Sequence, residues 1–161
     1  MSMSSWSVTG IGFTVNKCDP SKVAIFLLDH FDIILINNAN RKTSTIRKGL
    51  EEIANTGVIY ESISDDLYEL LNFPVSEFIA RIMNNMLSIN NIVSAPACSD
   101  TYLDEHVLYI ETYPWGMTEK EKKMTYKDIQ GAMINIATNF LGYPRKDVPY
   151  EFQSETYEYY G

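Results

Sequence analysis

The sequence predicts an α+β fold, a small antiparallel sheet packed with about five helices, in a single domain spanning residues 1–161. Three observations carry this expectation. The stretch Ile92–Trp115 (IVSAPACSDTYLDEHVLYIETYPW) reads as two strands, at 92–98 and 106–113, joined by an acidic turn holding Asp100, Asp104 and Glu105. In the second strand Leu108 and Ile110 alternate with Val107, Tyr109 and Glu111, the period of a pleated ribbon. Several other stretches place apolar residues three and four apart, the spacing of one helix face.

In chain order, 5–15 (SWSVTGIGFTV) reads as a first strand, with Ile11, Phe13 and Val15 on one face and Trp6, Val8, Gly10 and Gly12 on the other. Gly10-Ile-Gly12 is not a dinucleotide loop, because no third glycine follows at the required spacing and Phe13 occupies the loop. Asp19 and Pro20 then open a helix as N-cap and first helical residue, and the apolar run Val23–Leu28 predicts that it is buried. Periodicity leaves open whether Ile33–Ile36 continues it. Thr43 or Ser44 starts a helix with Ile46, Leu50 and Ile53 on one stripe and Gly57 at its end.

After a connector or short strand over Val58–Ile63, Ser64 is expected to cap a brief helix whose first turn holds Asp65 and Asp66. Pro74 breaks the pattern, and Val75, Phe78, Ile79, Ile82, Met86 and Ile89 mark the next helix. Beyond the hairpin, Thr118-Glu-Lys-Glu121 forms a capping box, and Thr125 with Asp128 marks a second start. The helix over 126–141 carries Tyr126, Ile129, Met133, Ile136, Ala137 and Phe140 on one stripe, stopped by Gly142 and Pro144. The tail, YEFQSETYEYYG, is expected to add an edge strand near 150–155.

The net charge of −8 is unevenly spread. Residues 1–60 hold six Lys/Arg against five Asp/Glu, whereas residues 61–161 hold seven against sixteen. Such a surface repels phosphate backbones, so direct binding of nucleic acid is not expected. It steers instead toward a basic groove on another protein. The residues expected to meet that partner are Asp100, Asp104, Glu105, Glu111, Glu151, Glu155 and Glu158, with Tyr157, Tyr159 and Tyr160 as aromatic anchors. A homodimer is left open.

Enzyme signatures are scarce: no HExxH, Cys-x-x-Cys, Gly-x-Ser-x-Gly or Walker sequence occurs. Cys98 with His106 and Asp104 offers a nucleophile, base and orienting group, but buried cysteine and a lone strand histidine are more often structural. The hairpin acids lack the alternation and central glycine of an EF-hand loop, so no metal or other cofactor is expected. Two cysteines make no disulfide framework, which points to a reducing cytosol. The start, MSMSSWS, lacks a basic n-region, and the longest apolar run, Val23–Ile36, is interrupted by Asp29, His30 and Asp32, so neither a secretory signal nor a membrane span is expected.

A set of ordered landmarks resembles a family of small acidic proteins encoded by phages and prophages of low-GC Gram-positive bacteria. They are Gly10-Ile-Gly12, Ala97-Cys98-Ser99-Asp100, Leu108-Tyr109, Tyr113-Pro114-Trp115, Glu121-Lys122 before Thr125, and Phe152-Gln153-Ser154-Glu155 near Gly161. The segment from Lys22 to Asn91 carries little of the resemblance. The resemblance implies a phage setting, in a bacterial host's cytoplasm during infection or lysogeny. It also implies a stoichiometric blocker of host defence, of the anti-CRISPR or anti-restriction kind: a nucleic-acid mimic inhibiting a defence nuclease such as a CRISPR effector. The competing readings are an enzyme or sponge acting on a nucleotide defence signal, for which an acidic lining is unsuited to phosphates, and a phage housekeeping interaction protein.

Overall fold

The computed structural model describes residues 5–37, 42–60, 62–90, 92–96, 106–110, 126–148 and 154–160. In chain order the elements are β1 (Ser5–Thr14), α1 (Pro20–Asp29), α2 (Phe31–Asn37), α3 (Thr43–Thr56), α4 (Ile63–Leu71), α5 (Val75–Leu87), β2 (Ile92–Pro96), β3 (His106–Ile110), α6 (Tyr126–Phe140) and β4 (Ser154–Tyr160). Short 3₁₀ turns occupy Val15–Lys17 and Arg145–Asp147.

The expectation of an α+β domain organised by a hairpin is corrected by this arrangement. Among residues whose side chains are described, 75% are helical, in six helices. The strands give the described core Phe13, Ile92 and Leu108; nearly all the rest of it comes from the helices and the turns that end them. The physical reason is packing yield. An amphipathic helix of three or four turns presents a continuous apolar stripe to the core, as the seven buried residues of α5 show, whereas among the described side chains β1, β2 and β3 supply one each. The described core is mainly helical, and β2 and β3 pack against α5.

Each helix forms where an apolar stripe and a boundary signal coincide. The Asp19 carboxylate accepts from the backbone N–H groups of Ser21 and Lys22, and Pro20 fills the first helical position, so α1 starts as the sequence reads. Val23, Ala24, Phe26 and Leu27 are buried, but Ile25 points to water. A separate α2 follows after His30. The Arg47 guanidinium of α3 lies 4.4 Å over the Phe31 ring, joining those two helices. Ile46, Leu50 and Ile53 form the buried stripe of α3, and Gly57 ends it at φ +84°.

Three readings are corrected on the later helices. The N-cap of α4 is Ser62, not Ser64: its hydroxyl accepts from the Asp65 N–H and donates to the Asp65 carboxylate. Capping there lets Ile63 turn inward as the first residue of the apolar stripe. On α5, Met83 is buried and Met86 exposed. On α6, Ile129, Met133, Ile136 and Ala137 are buried while Phe140 is half exposed, because the chain turns at Gly142 and Leu141 closes the core instead.

Gly142 sits at φ +70°, and a Cβ there would lie 2.5 Å from the Asp19 Cβ and 3.3 Å from its nitrogen. The Asp19 N–H donates to Leu141 O at 2.9 Å, so the end of α6 and the start of α1 are tied at this point. Gly142→Ala is expected to cost about 1–3 kcal/mol in chemical denaturation. Gly131→Ala, with nothing within 4 Å of the added carbon, is expected to stabilise by about 0.5–1 kcal/mol.

The strands pair antiparallel in the order β2-β3-β1-β4. β1 pairs with β4 through Ser5–Ile11 and with β3 through Gly12–Thr14. The ribbon is fixed to the helices through α5. The hydroxyls of Ser76 and Ser94 share a hydrogen bond at 2.6 Å. The Asn84 carboxamide donates to Ile92 O and accepts from Ile92 N–H, occupying part of the outer edge of β2. Pro96, which has no N–H to offer, also blunts that edge.

Candidate partner-binding surface

Of the acids expected to meet a partner, Asp100, Asp104, Glu105, Glu111 and Glu151 lie outside the described residues, as does Cys98. His106 begins β3 opposite Pro96. The remaining expected residues fall on β4, which lies at 154–160 rather than the expected 150–155; residues 150–153 are outside the described set. In register, Glu155 stands opposite Gly10, Tyr157 opposite Val8, Glu158 opposite Ser7, Tyr159 opposite Trp6 and Tyr160 opposite Ser5. Positions alternate between the two faces of a strand, so Glu155, Tyr157 and Tyr159 share one face position and Glu158 and Tyr160 the other. No single sheet face holds all five.

A second surface is defined by side chains that the sequence reading did not single out. Between Lys48 and Arg81 the chain contains no Lys or Arg, while Glu51, Glu52, Glu61, Asp65, Asp66, Glu69 and Glu77 all occur. This gap in positive charge was the available signal. Of these acids Asp66 is buried, at 2% exposure. Its two carboxylate oxygens accept from the N–H groups of Ile59 and Tyr60, each at 2.6 Å, so the turn after Gly57 is clamped onto the start of α4. Bonds of this kind, from backbone donors to an ionised acceptor, are short and strong.

The clamp leaves Val58, Ile59 and Tyr60 facing water, at 40%, 51% and 66% exposure. A groove of about 300 Å³ adjoins Ile59 and Tyr60, lined also by Glu52, Glu69 and Leu70 among others. A neighbouring groove of about 280 Å³ is lined by Asp65, Tyr68, Glu69, Pro74 and Val75 among others. Glu69 borders both, and neither lining includes a Lys or Arg.

Chemically, this arrangement offers carboxylates beside apolar and aromatic faces, a setting for a cation with an apolar neighbour. Among the described residues, no group of three or more His, Cys, Asp or Glu is placed to hold a metal ion, and no helix is long and apolar enough to cross a membrane. Cys18 is buried with its thiol in the core. Comparison with known proteins gives no matching family model, and no curated protein or solved structure with significant similarity.

Proposed function

We propose that this chain is a non-enzymatic protein inhibitor of a bacterial defence nuclease, acting in the setting of phage infection. It occupies the basic surface on which that nuclease holds nucleic acid, with its own carboxylates standing in for phosphates. The observation that carries this reading is the charge distribution: seven Lys/Arg against sixteen Asp/Glu over residues 61–161. The hairpin acids Asp100, Asp104 and Glu105, together with the acidic, tyrosine-bearing end of the chain, are the contact residues of this reading.

The test is cleavage of target DNA by a purified CRISPR effector from a Gram-positive host, titrated with the full chain. Reversing charge at Asp100, Asp104 and Glu105 together is expected to raise the half-inhibitory concentration at least about tenfold, with the melting temperature unchanged. Adding salt is expected to weaken inhibition by the native chain. Absence of inhibition by the native chain, or equal inhibition by the triple variant, refutes the mechanism.

A further inference from the structure

We propose that the α3–α4 corner is a docking site for a basic protein segment in which a Lys or Arg neighbours an apolar side chain. The inference shares with the preceding section only a basic protein as partner; it uses none of the hairpin or tail residues.

Three independent features converge on this occupant. The first is exposed apolar surface on a fixed support. Val58, Ile59 and Tyr60 are consecutive and at least 40% exposed, and the Asp66 carboxylate fixes the backbone N–H groups of Ile59 and Tyr60. A loop already locked in one shape loses little conformational freedom when a partner binds, so more of the contact energy becomes affinity. Tyr68, on α4, adds another aromatic side chain at 49% exposure.

The second is the size of the grooves. At about 280 and 300 Å³ they sit at the lower limit for a small-molecule site but suit individual large side chains of a peptide. Meeting at Glu69 on α4, they accommodate neighbouring side chains of an extended segment laid across that helix. The third is charge. Glu52, Asp65 and Glu69 are exposed along the grooves, whose linings include no cation. A phosphorylated ligand or an anionic lipid surface meets repulsion there, whereas a Lys or Arg gains an ion pair with Glu69 and a cation–π contact with Tyr60 or Tyr68.

The test uses the full chain and a fluorescently labelled peptide of alternating Arg and Leu, read by anisotropy. Peptides of the same length with Glu replacing Arg, or with Ser replacing Leu, serve as controls. The native chain is expected to bind the Arg–Leu peptide and neither control comparably. Tyr60→Ala and Glu69→Gln are each expected to weaken binding at least about fivefold. Both side chains are exposed, so the fold is retained; equal melting temperatures verify this. Asp29→Asn with Asp32→Asn, at exposed acids outside both groove linings, is expected to leave binding within about twofold of native.

Equal binding by the native chain and the Tyr60 and Glu69 variants overturns the proposal. So does equal affinity for the Ser-containing control, which would reduce the contact to bulk charge. Concentration-dependent dimerisation in sedimentation velocity that Tyr60→Ala abolishes also overturns it, since the surface would then belong to a second copy. None of these outcomes bears on nuclease inhibition through Asp100, Asp104 and Glu105, so the two readings fail separately.

Discussion

Replacing Phe78 with alanine is expected to lower the free energy of unfolding by about 3–5 kcal/mol, measured by urea denaturation at constant m-value. The size follows from where the ring sits. Phe78 is fully buried on α5, its centroid 5.5 Å from that of Phe73. α5 is the helix that meets α2, α4, α6, β2 and β3, so its inward face is bounded on several sides by other elements. Neighbours held from several directions cannot collapse into the space a phenyl ring leaves, and the cavity term is added to the lost transfer energy. A loss of this size consumes much of the roughly 5–15 kcal/mol that a domain typically has. Phe78→Leu keeps most of the volume and is expected to cost about 1–2 kcal/mol. Met86→Ala, on the same helix but 41% exposed, is expected to change stability by less than about 0.5 kcal/mol. An equal effect at Phe78 and Met86 would contradict the placement of α5 at the centre.

The helices were largely legible in the sequence because their evidence is local. Ile46, Leu50 and Ile53 recur at helical spacing, and Asp19-Pro20 carries its own start signal. Where two local signals compete, spacing does not choose between them. Ser62 and Ser64 are both plausible caps, and only the inward turn of Ile63 selects Ser62. Met83 and Met86 lie on neighbouring parts of one apolar arc, and the neighbours of α5 decide which one is covered.

The fold class was misread for a different reason. The alternation in His106–Ile110 correctly marks a strand, yet a strand's existence says nothing about its share of the core. That share is a sum over all elements, and among the described residues most of it belongs to the helices. The candidate surface was half legible: the absence of Lys and Arg between Lys48 and Arg81 can be read directly, but the separate fates of adjacent acids cannot. Asp65 meets Ser62 at the helix start, whereas Asp66, one position on and about 100° further round the helix, turns inward to the Gly57–Tyr60 turn.

Asp66→Ala is expected to cost about 2–4 kcal/mol, since it removes two hydrogen bonds to an ionised acceptor and leaves the N–H groups of Ile59 and Tyr60 in a partly buried site. Asp66→Asn is expected to fall close to it. Its carboxamide keeps one acceptor oxygen but turns an NH₂ donor toward the other N–H, so one bond is exchanged for a donor facing a donor. Amide hydrogen exchange separates this local effect from general loss of stability. Ile59 and Tyr60 are expected to lose protection in both variants at temperatures where Leu50 and Phe78 remain protected. Preserved protection at those two amides would mean that the turn is held by something other than the carboxylate. The same variants connect stability to recognition: with the clamp gone, Val58, Ile59 and Tyr60 must be ordered at the moment of binding, and that cost is drawn from affinity. Asp66→Asn is therefore expected to weaken capture of an Arg–Leu peptide although it leaves Tyr60 and Glu69 in place, an effect that a purely electrostatic surface would show only in proportion to the single charge removed.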